Sequence, residues 1–189
     1  PIERVRAQFE TNVFGVVSLT QRVLPAMRQR RRGRIINLSS MGGRLVFPGG
    51  GYYHATKYAI EAISDALRFE LRGFGIQVVL IEPGLIRTNF GEAASGSIAA
   101  PASATDSAYA SFHTAVAKAT TESYEKGPLA RLAGEADDVA RAIEKAITTT
   151  RPRARYSVSA SAKLLLAQRA LSSDRLWDAF LRSSFPSPA

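Results

Sequence analysis

Two short runs of mostly aliphatic residues, Arg34-Ile35-Ile36-Asn37-Leu38-Ser39 and Ile76-Gln77-Val78-Val79-Leu80-Ile81, bracket a stretch of helical periodicity. That order limits the fold more than any other feature of the chain. Near-continuous Ile, Val and Leu runs fit strands buried on both faces, the pattern of a parallel sheet. Parallel neighbours cannot be joined by a hairpin and need a crossover. Residues 52 to 73 supply one: Ala55, Ala59, Ala62, Ile63, Ala66, Leu67 and Leu71 fall at helical spacing, and Gly73 and Gly75 punctuate the return to the second strand. The expected class is α/β.

The rest of the chain extends this pattern. Residues 3 to 28 read as one helix, with Val5, Phe9, Val13, Val16, Val17, Leu19, Val23 and Leu24 as its apolar positions and Pro25 near its end. Residues 91 to 107 are rich in Ala, Ser and Gly and read as a mobile loop. Helices over about 108 to 126 and 135 to 149, a strand near 155 to 159, and two helical pieces at 160 to 171 and 174 to 183 follow. The segment 184 to 189, with Pro186 and Pro188, reads as a tail. No internal repeat is evident, and residues 1 to 189 are expected to form a single domain.

The pair Tyr53 and Lys57 carries the chemistry. They lie four apart at the start of the predicted helix over 52 to 73, so phenol and ammonium share one face. A free tyrosine ionises near pH 10, and a fixed positive charge nearby favours the phenolate needed for acid and base work at neutral pH. Tyr52 does not compete, because its fourth neighbour is the uncharged Thr56. Thirteen residues before Tyr53, Ser40 stands at the end of a predicted strand, where ligands bind on α/β sheets. A serine there can also merely cap a turn. Asn12 lies inside a predicted helix, where asparagine is locally unfavourable, and this points to a polar task. His54 and His113 show no spacing for metal or triad work, and His54 is given no role.

Four motifs, Glu10-Thr11-Asn12-Val13-Phe14-Gly15, Ser39-Ser40, Tyr53-His54-Ala55-Thr56-Lys57 and Ile81-Glu82-Pro83-Gly84-Leu85-Ile86-Arg87-Thr88, occur in order, and through them the chain resembles the short-chain dehydrogenase/reductase family. The resemblance implies a Rossmann-like doubly wound parallel sheet and NAD or NADP as cofactor. It assigns Tyr53 as acid and base, Ser40 as the group orienting the substrate oxygen, and Lys57 as the residue that lowers the tyrosine pKa and holds the nicotinamide ribose. Asn12 would support a water in the proton relay. Pro83, Gly84, Ile86 and Thr88 would lie along the nicotinamide, with Ile86 and Thr88 nearest its carboxamide. Residues 89 to 130 would form a lid over the substrate, and paired helices would assemble a homodimer or homotetramer.

Two family features have no counterpart here: the Thr-Gly-x-x-x-Gly-x-Gly turn and the Asn-Asn-Ala-Gly segment. Gly42-Gly43 and Gly49 to Gly51 do not follow a strand and open a helix as a phosphate-binding turn requires. The chain therefore reads as the second half of such a domain, with about three strands and flanking helices and no glycine-rich cofactor half. On that expectation the 189 residues alone are inactive, and the alternative is a non-catalytic remnant or interaction module that retains the family's helices.

Composition narrows the partners. The formal charge of +9 is concentrated in Arg28 to Arg34 and Arg151 to Arg155. Aromatic residues do not interleave with either cluster, so no nucleic-acid partner is expected, and membrane contact is at most peripheral. The absence of cysteine excludes disulfides and thiolate metal sites, and no metal is expected. No apolar run approaches the length of a membrane span, and a cytoplasmic location is expected. Phe90, Tyr109 and Phe112 in the lid suit a small hydrophobic alcohol or carbonyl substrate. Through Arg151-Pro152-Arg153-Ala154-Arg155-Tyr156 and Ala162-Lys163-Leu164-Leu165-Leu166 the chain also resembles branches acting on steroids, retinol or long-chain alcohols.

Overall fold

The computed structural model describes residues 1–98 and 109–185. Three parallel strands, β1 (Gly33–Leu38), β2 (Ile76–Pro83) and β5 (Arg155–Val158), form the main sheet in the order β1-β2-β5. Gly33 to Leu38 pair with Ile76 to Ile81, and Leu80 to Pro83 with Arg155 to Val158. A second parallel pair is only two residues long, β3 (Ile86–Arg87) beside β4 (Gly134–Glu135).

The central strand β2 is buried on both faces, as its unbroken aliphatic run requires. On one face Ile76 and Val78 pack with Ile35 and Leu71 against Leu24, Met27, Leu67 and Phe74. These come chiefly from α2 (Gly15–Gln29) and α3 (Gly51–Glu70). On the other face Val79 and Ile81 meet Ile86, Ala146 and Val158, with Val139, Ala142 and Ile143 of α7 (Ala136–Thr148). Helices thus cover both sides of the sheet. A third apolar cluster, Met41, Leu45, Leu85, Ala162, Leu165, Leu166 and Trp177, joins the loop after β1 to α8 (Ala160–Leu171) and α9 (Asp174–Ser184).

Several boundaries differ from the sequence expectation. The long first helix is interrupted: α1 (Ile2–Phe9) and α2 are joined by a π-helical turn, Glu10–Phe14, that contains Asn12. Residues 91 to 107 are expected as a mobile loop, yet the first part is helix α4 (Phe90–Ile98), and residues 99 to 107 lie outside the described residues. The stretch expected as a lid goes on to form α5 (Ala110–Glu125) and a short α6 (Gly127–Arg131), separated by Lys126 in extended conformation. In the expected tail, Phe185 packs on Phe47 with ring centroids 5.9 Å apart, and residues 186 to 189 lie outside the described residues.

Gly75 ends the crossover in a left-handed conformation, φ 70°, and a Cβ there would come within 2.4 Å of the Arg31 carbonyl oxygen. Only glycine fits both demands. Three arginines of the basic run are tied into the fold at this end of the sheet: Arg31 donates to the Gly73 carbonyl at 2.8 Å, Arg28 lies over the Phe74 ring, and Arg34 donates to the Ala146 carbonyl at 2.6 Å. Among the described residues no helix is long and apolar enough to cross a membrane.

Candidate active site

The carboxyl ends of β1 and β2 face the first turns of α3, and the candidate groups meet there. β1 ends at Leu38, Ser39 turns inward, and Ser40 in extended conformation opens a 3-10 turn, Met41–Gly43. The Ser40 hydroxyl does cap that turn, accepting from Gly42 N at 3.0 Å. It also donates to the Pro83 carbonyl at 3.4 Å, which ties β1 to the end of β2. Tyr53, in the first turn of α3, lies beside Ser40, and its exposed neighbour Tyr52 points to solvent.

Lys57 sits one turn further along α3. Its Nζ donates to the Leu38 carbonyl at 2.9 Å and lies 5.8 Å from the centroid of the Tyr53 ring. Burial pushes the Tyr53 phenol above its ordinary value, and the Ser40 hydroxyl is the group that draws it down. Burial likewise pushes Lys57 below its ordinary value. The ammonium is thus aimed at the strand end, and the strongest influence on the phenol here is desolvation.

Asn12 does not reach the phenol. Its Nδ2 donates to Thr56 Oγ1 at 3.1 Å, and Thr56 Oγ1 donates to the Tyr53 carbonyl at 2.7 Å. The π-helical turn presents Asn12 to α3 at this point; such turns recur at functional sites. Ser40, Tyr53 and Lys57 therefore converge, and Asn12 joins them through the fully buried Thr56.

The segment after β2 is pinned from below. Gly84 N donates to the Val158 carbonyl at 3.0 Å, and a Cβ on Gly84 would stand 2.7 Å from Ala162 N at the start of α8. Ile86 turns its side chain into the core with Val79, Ala146 and Val158, so only its backbone is available to a ligand. Thr88 is exposed, and its hydroxyl accepts from Phe90 N at 3.3 Å. Arg87 pairs with Glu135 and donates to the Ala130 carbonyl, fixing the segment against α6 and α7.

Four further residues belong to the site by position. Phe90 of α4 packs over Tyr53 at 5.6 Å between ring centroids. Tyr124 of α5 joins the cluster of Met41 and Leu85; its phenol is pushed up to about 12 by burial, with a further push from Tyr53. His54 is buried and neutral: its Nδ1 donates to the Gly42 carbonyl at 2.9 Å, its Nε2 accepts from Phe47 N at 3.2 Å, and burial holds its pKa down. It latches the loop 42 to 47 onto α3. Thr56, noted above, is the fourth. Helical spacing from Tyr53 offered a signal for Thr56 alone, as the residue three positions on in the same face.

The residues fit one end of a nicotinamide dinucleotide. Lys57 spends one of its three N–H donors on Leu38 and retains two, Ser40 and Tyr53 offer hydroxyls, and the backbone of 84 to 88 is anchored by partners on the far side. No turn in the sequence has the spacing that cradles a pyrophosphate.

A family profile described as short chain dehydrogenase matches residues 1–97. An uncharacterised oxidoreductase of Bacillus subtilis, YusZ, is 35% identical over 184 residues, which cover 96% of this chain and 63% of that protein. The NADPH-dependent 3-dehydrocapnine reductase of Ornithobacterium rhinotracheale is 38% identical over 184 residues, covering 94% of this chain and 61% of that one. A solved short-chain dehydrogenase from Streptomyces avermitilis superposes with a TM-score of 0.69 at 29% identity, over 97% of this chain and 61% of the other. The chain belongs to the short-chain dehydrogenase family. It spans less than two thirds of the length of these relatives.

Proposed function

We propose that the protein carrying these residues is an NAD- or NADP-dependent oxidoreductase that interconverts a hydrophobic alcohol and its ketone or aldehyde. The observation that carries this reading is the convergence of the Tyr53 phenol, the Ser40 hydroxyl and the Lys57 ammonium at the ends of β1 and β2, under Phe90 and Tyr124. The nicotinamide, when bound, supplies or accepts the hydride. In the reducing direction the Ser40 hydroxyl turns its one proton from the Pro83 carbonyl to the substrate oxygen, and Tyr53 gives that oxygen its proton. The phenolate left behind is buried and needs a counter-charge. The Lys57 ammonium, 5.8 Å from the centroid of that ring, is the cation placed to supply it. Asn12, through Thr56, fixes the first turn of α3 that bears both groups.

Lys57, Tyr53 and the stretch Pro83, Gly84, Ile86 and Thr88 would hold the nicotinamide half, with Ile86 acting through its backbone. The apolar rings of Phe90, Tyr109 and Phe112 support a steroid-, retinol- or long-chain-alcohol-like substrate, with 89 to 130 as its cover. Exposed Phe14, Leu19 and Phe69 on α2, α3 and the turn between α1 and α2 support a homodimer or homotetramer. The NADPH dependence named for the Ornithobacterium relative agrees with a nicotinamide cofactor. The 189 residues tested alone are expected to bind NADH and NADPH weakly and to turn over nothing, for want of a pyrophosphate cradle.

The test is Tyr53→Phe in the natural full-length gene product, assayed with both cofactors against long-chain and cyclic ketones. Loss of the acid should lower turnover by about 10² to 10⁴, with cofactor affinity falling by far less because Lys57 and the 83 to 88 stretch still hold the nicotinamide half. Turnover equal to the unsubstituted enzyme overturns the assignment.

A further inference from the structure

Behind Ser40 and Pro83 lies a group of charges that the proposed reaction does not use. The Arg155 guanidinium, on β5, binds three carboxylates at once: its Nε donates to Glu61 Oε2 at 3.1 Å, its Nη2 reaches both oxygens of Asp65 at 2.6 and 2.7 Å, and Glu82 Oε1 lies 3.0 Å from Nε. Glu61 and Asp65 belong to α3, with Glu61 one turn beyond Lys57. Glu82 belongs to β2 and immediately precedes Pro83, whose carbonyl accepts from Ser40. Ser157 adds a hydrogen bond to Glu82 Oε2 at 2.8 Å, and Arg44 stands 3.6 Å from the same oxygen.

The two inner carboxylates are costly. Glu82 has no exposed surface and Glu61 only 6%. The single Nε–H is aimed at Glu61, so Glu82 Oε1 receives charge without a hydrogen bond, while the Ser39 hydroxyl beside Glu61 draws the pKa of that carboxyl down against the push of burial. Removing the guanidinium would leave two buried anions facing each other across the joint between α3 and β2. Those elements carry, one residue or one turn away, the groups that must stay in register for catalysis.

We propose that Arg155 is a positioning residue: by clamping Glu61 and Glu82 it holds the Ser40–Pro83 end of the sheet against the face of α3 that bears Tyr53. The inference rests on the reading of Ser40 and Tyr53 as a working pair, and its readouts need no turnover, so an absence of dehydrogenase activity would not imitate its failure. A fluorinated tyrosine is placed at position 53 of the full chain, with an ionisation brought into the neutral range, and its titration is followed by fluorine NMR. Amide exchange is measured in parallel.

Arg155→Met should raise the titration midpoint, since Ser40 no longer draws the phenol down, and should speed exchange over 39 to 45 about tenfold relative to Val78 to Leu80. Glu82→Gln separates position from field. Losing an anion would by charge alone lower the midpoint, whereas a loosened Ser40 raises it. Arg155→Lys keeps the charge without the fork and should fall between the unsubstituted chain and Arg155→Met. Opposite movements for Arg155→Met and Glu82→Gln overturn the proposal, as does an unmoved midpoint with unchanged exchange at 39 to 45. If Arg155→Met fails to fold, a folded Arg155→Lys chain with an unmoved midpoint is equally decisive.

Discussion

At the carboxyl ends of β1 and β2 two buried glutamates crowd one guanidinium, whereas at the amino end of β1 arginines spend their charge on backbone carbonyls near the surface. Arg34 donates to Ala146 and Ile147, in the last turn of α7, where a cation complements the helix dipole, and Arg31 caps the crossover at Gly73. Each guanidinium there satisfies acceptors that would otherwise bond water. At the other end Glu61 and Glu82 have been taken out of water, and Glu82 Oε1 accepts no hydrogen bond. The contrast separates charge that finishes a fold from charge that a site retains at a cost.

The largest test of this contrast is Glu82→Ala. It removes the anion that Arg155, Ser157 and Arg44 share and opens a cavity beside Pro83. Breaking a buried pair from one side costs about 3 to 5 kcal/mol, and here Asp65 and Glu61 still hold Arg155, so the expected loss is about 3 kcal/mol by urea unfolding. A loss under about 1 kcal/mol, the scale of an ordinary hydrogen bond, would mean that the carboxyl-end cluster is no more than surface electrostatics.

The same contrast explains what could be read from the sequence. β1, α3 and β2 are legible because Ile35, Ile36, Val78, Val79, Leu80 and Ile81 form aliphatic runs and Ala55 to Leu71 keep a helical period. Tyr53 and Lys57 follow from spacing on one helix. The carboxylate cluster has no such signature, since Glu61, Glu82 and Arg155 come from three elements far apart in the chain. The π-helical turn is equally hidden, as its observed partner, Thr56, lies 44 residues from Asn12. Helix α4 is hidden because its Ala, Ser and Gly composition reads as a loop, while Phe90 on Tyr53 and Gly91 against Tyr124 give it tertiary contacts. The two-residue strands β3 and β4 are below any periodic signal.

His54 supplies a pH dependence of intermediate size on the site side. Burial holds its folded pKa below the ordinary 6.5, so the unfolded chain binds the proton more readily. The neutral latch therefore contributes fully above 6.5, and stability is lost as pH falls below that value toward the lowered folded pKa. Urea unfolding of His54→Asn should show a flatter stability profile across this window than the unsubstituted chain. Parallel profiles would mean that the contact with Gly42 and Phe47 holds a protonated ring equally well.

The smallest effect is expected at the amino end. Arg34→Ala removes hydrogen bonds to Ala146, Ile147 and Gln77, yet the carbonyls of the last turn of α7 can turn to water, unlike the buried oxygens around Glu82. The predicted cost is about 1 kcal/mol by urea unfolding, shrinking with added salt insofar as the helix-dipole part contributes. A loss matching Glu82→Ala would erase the distinction between the two ends, because it would show that Arg34 closes a desolvated joint between β1, β2 and α7 rather than a solvated helix end. A loss that does not shrink with salt, at the expected size, would instead assign the whole effect to the hydrogen bonds and leave the contrast standing on burial alone.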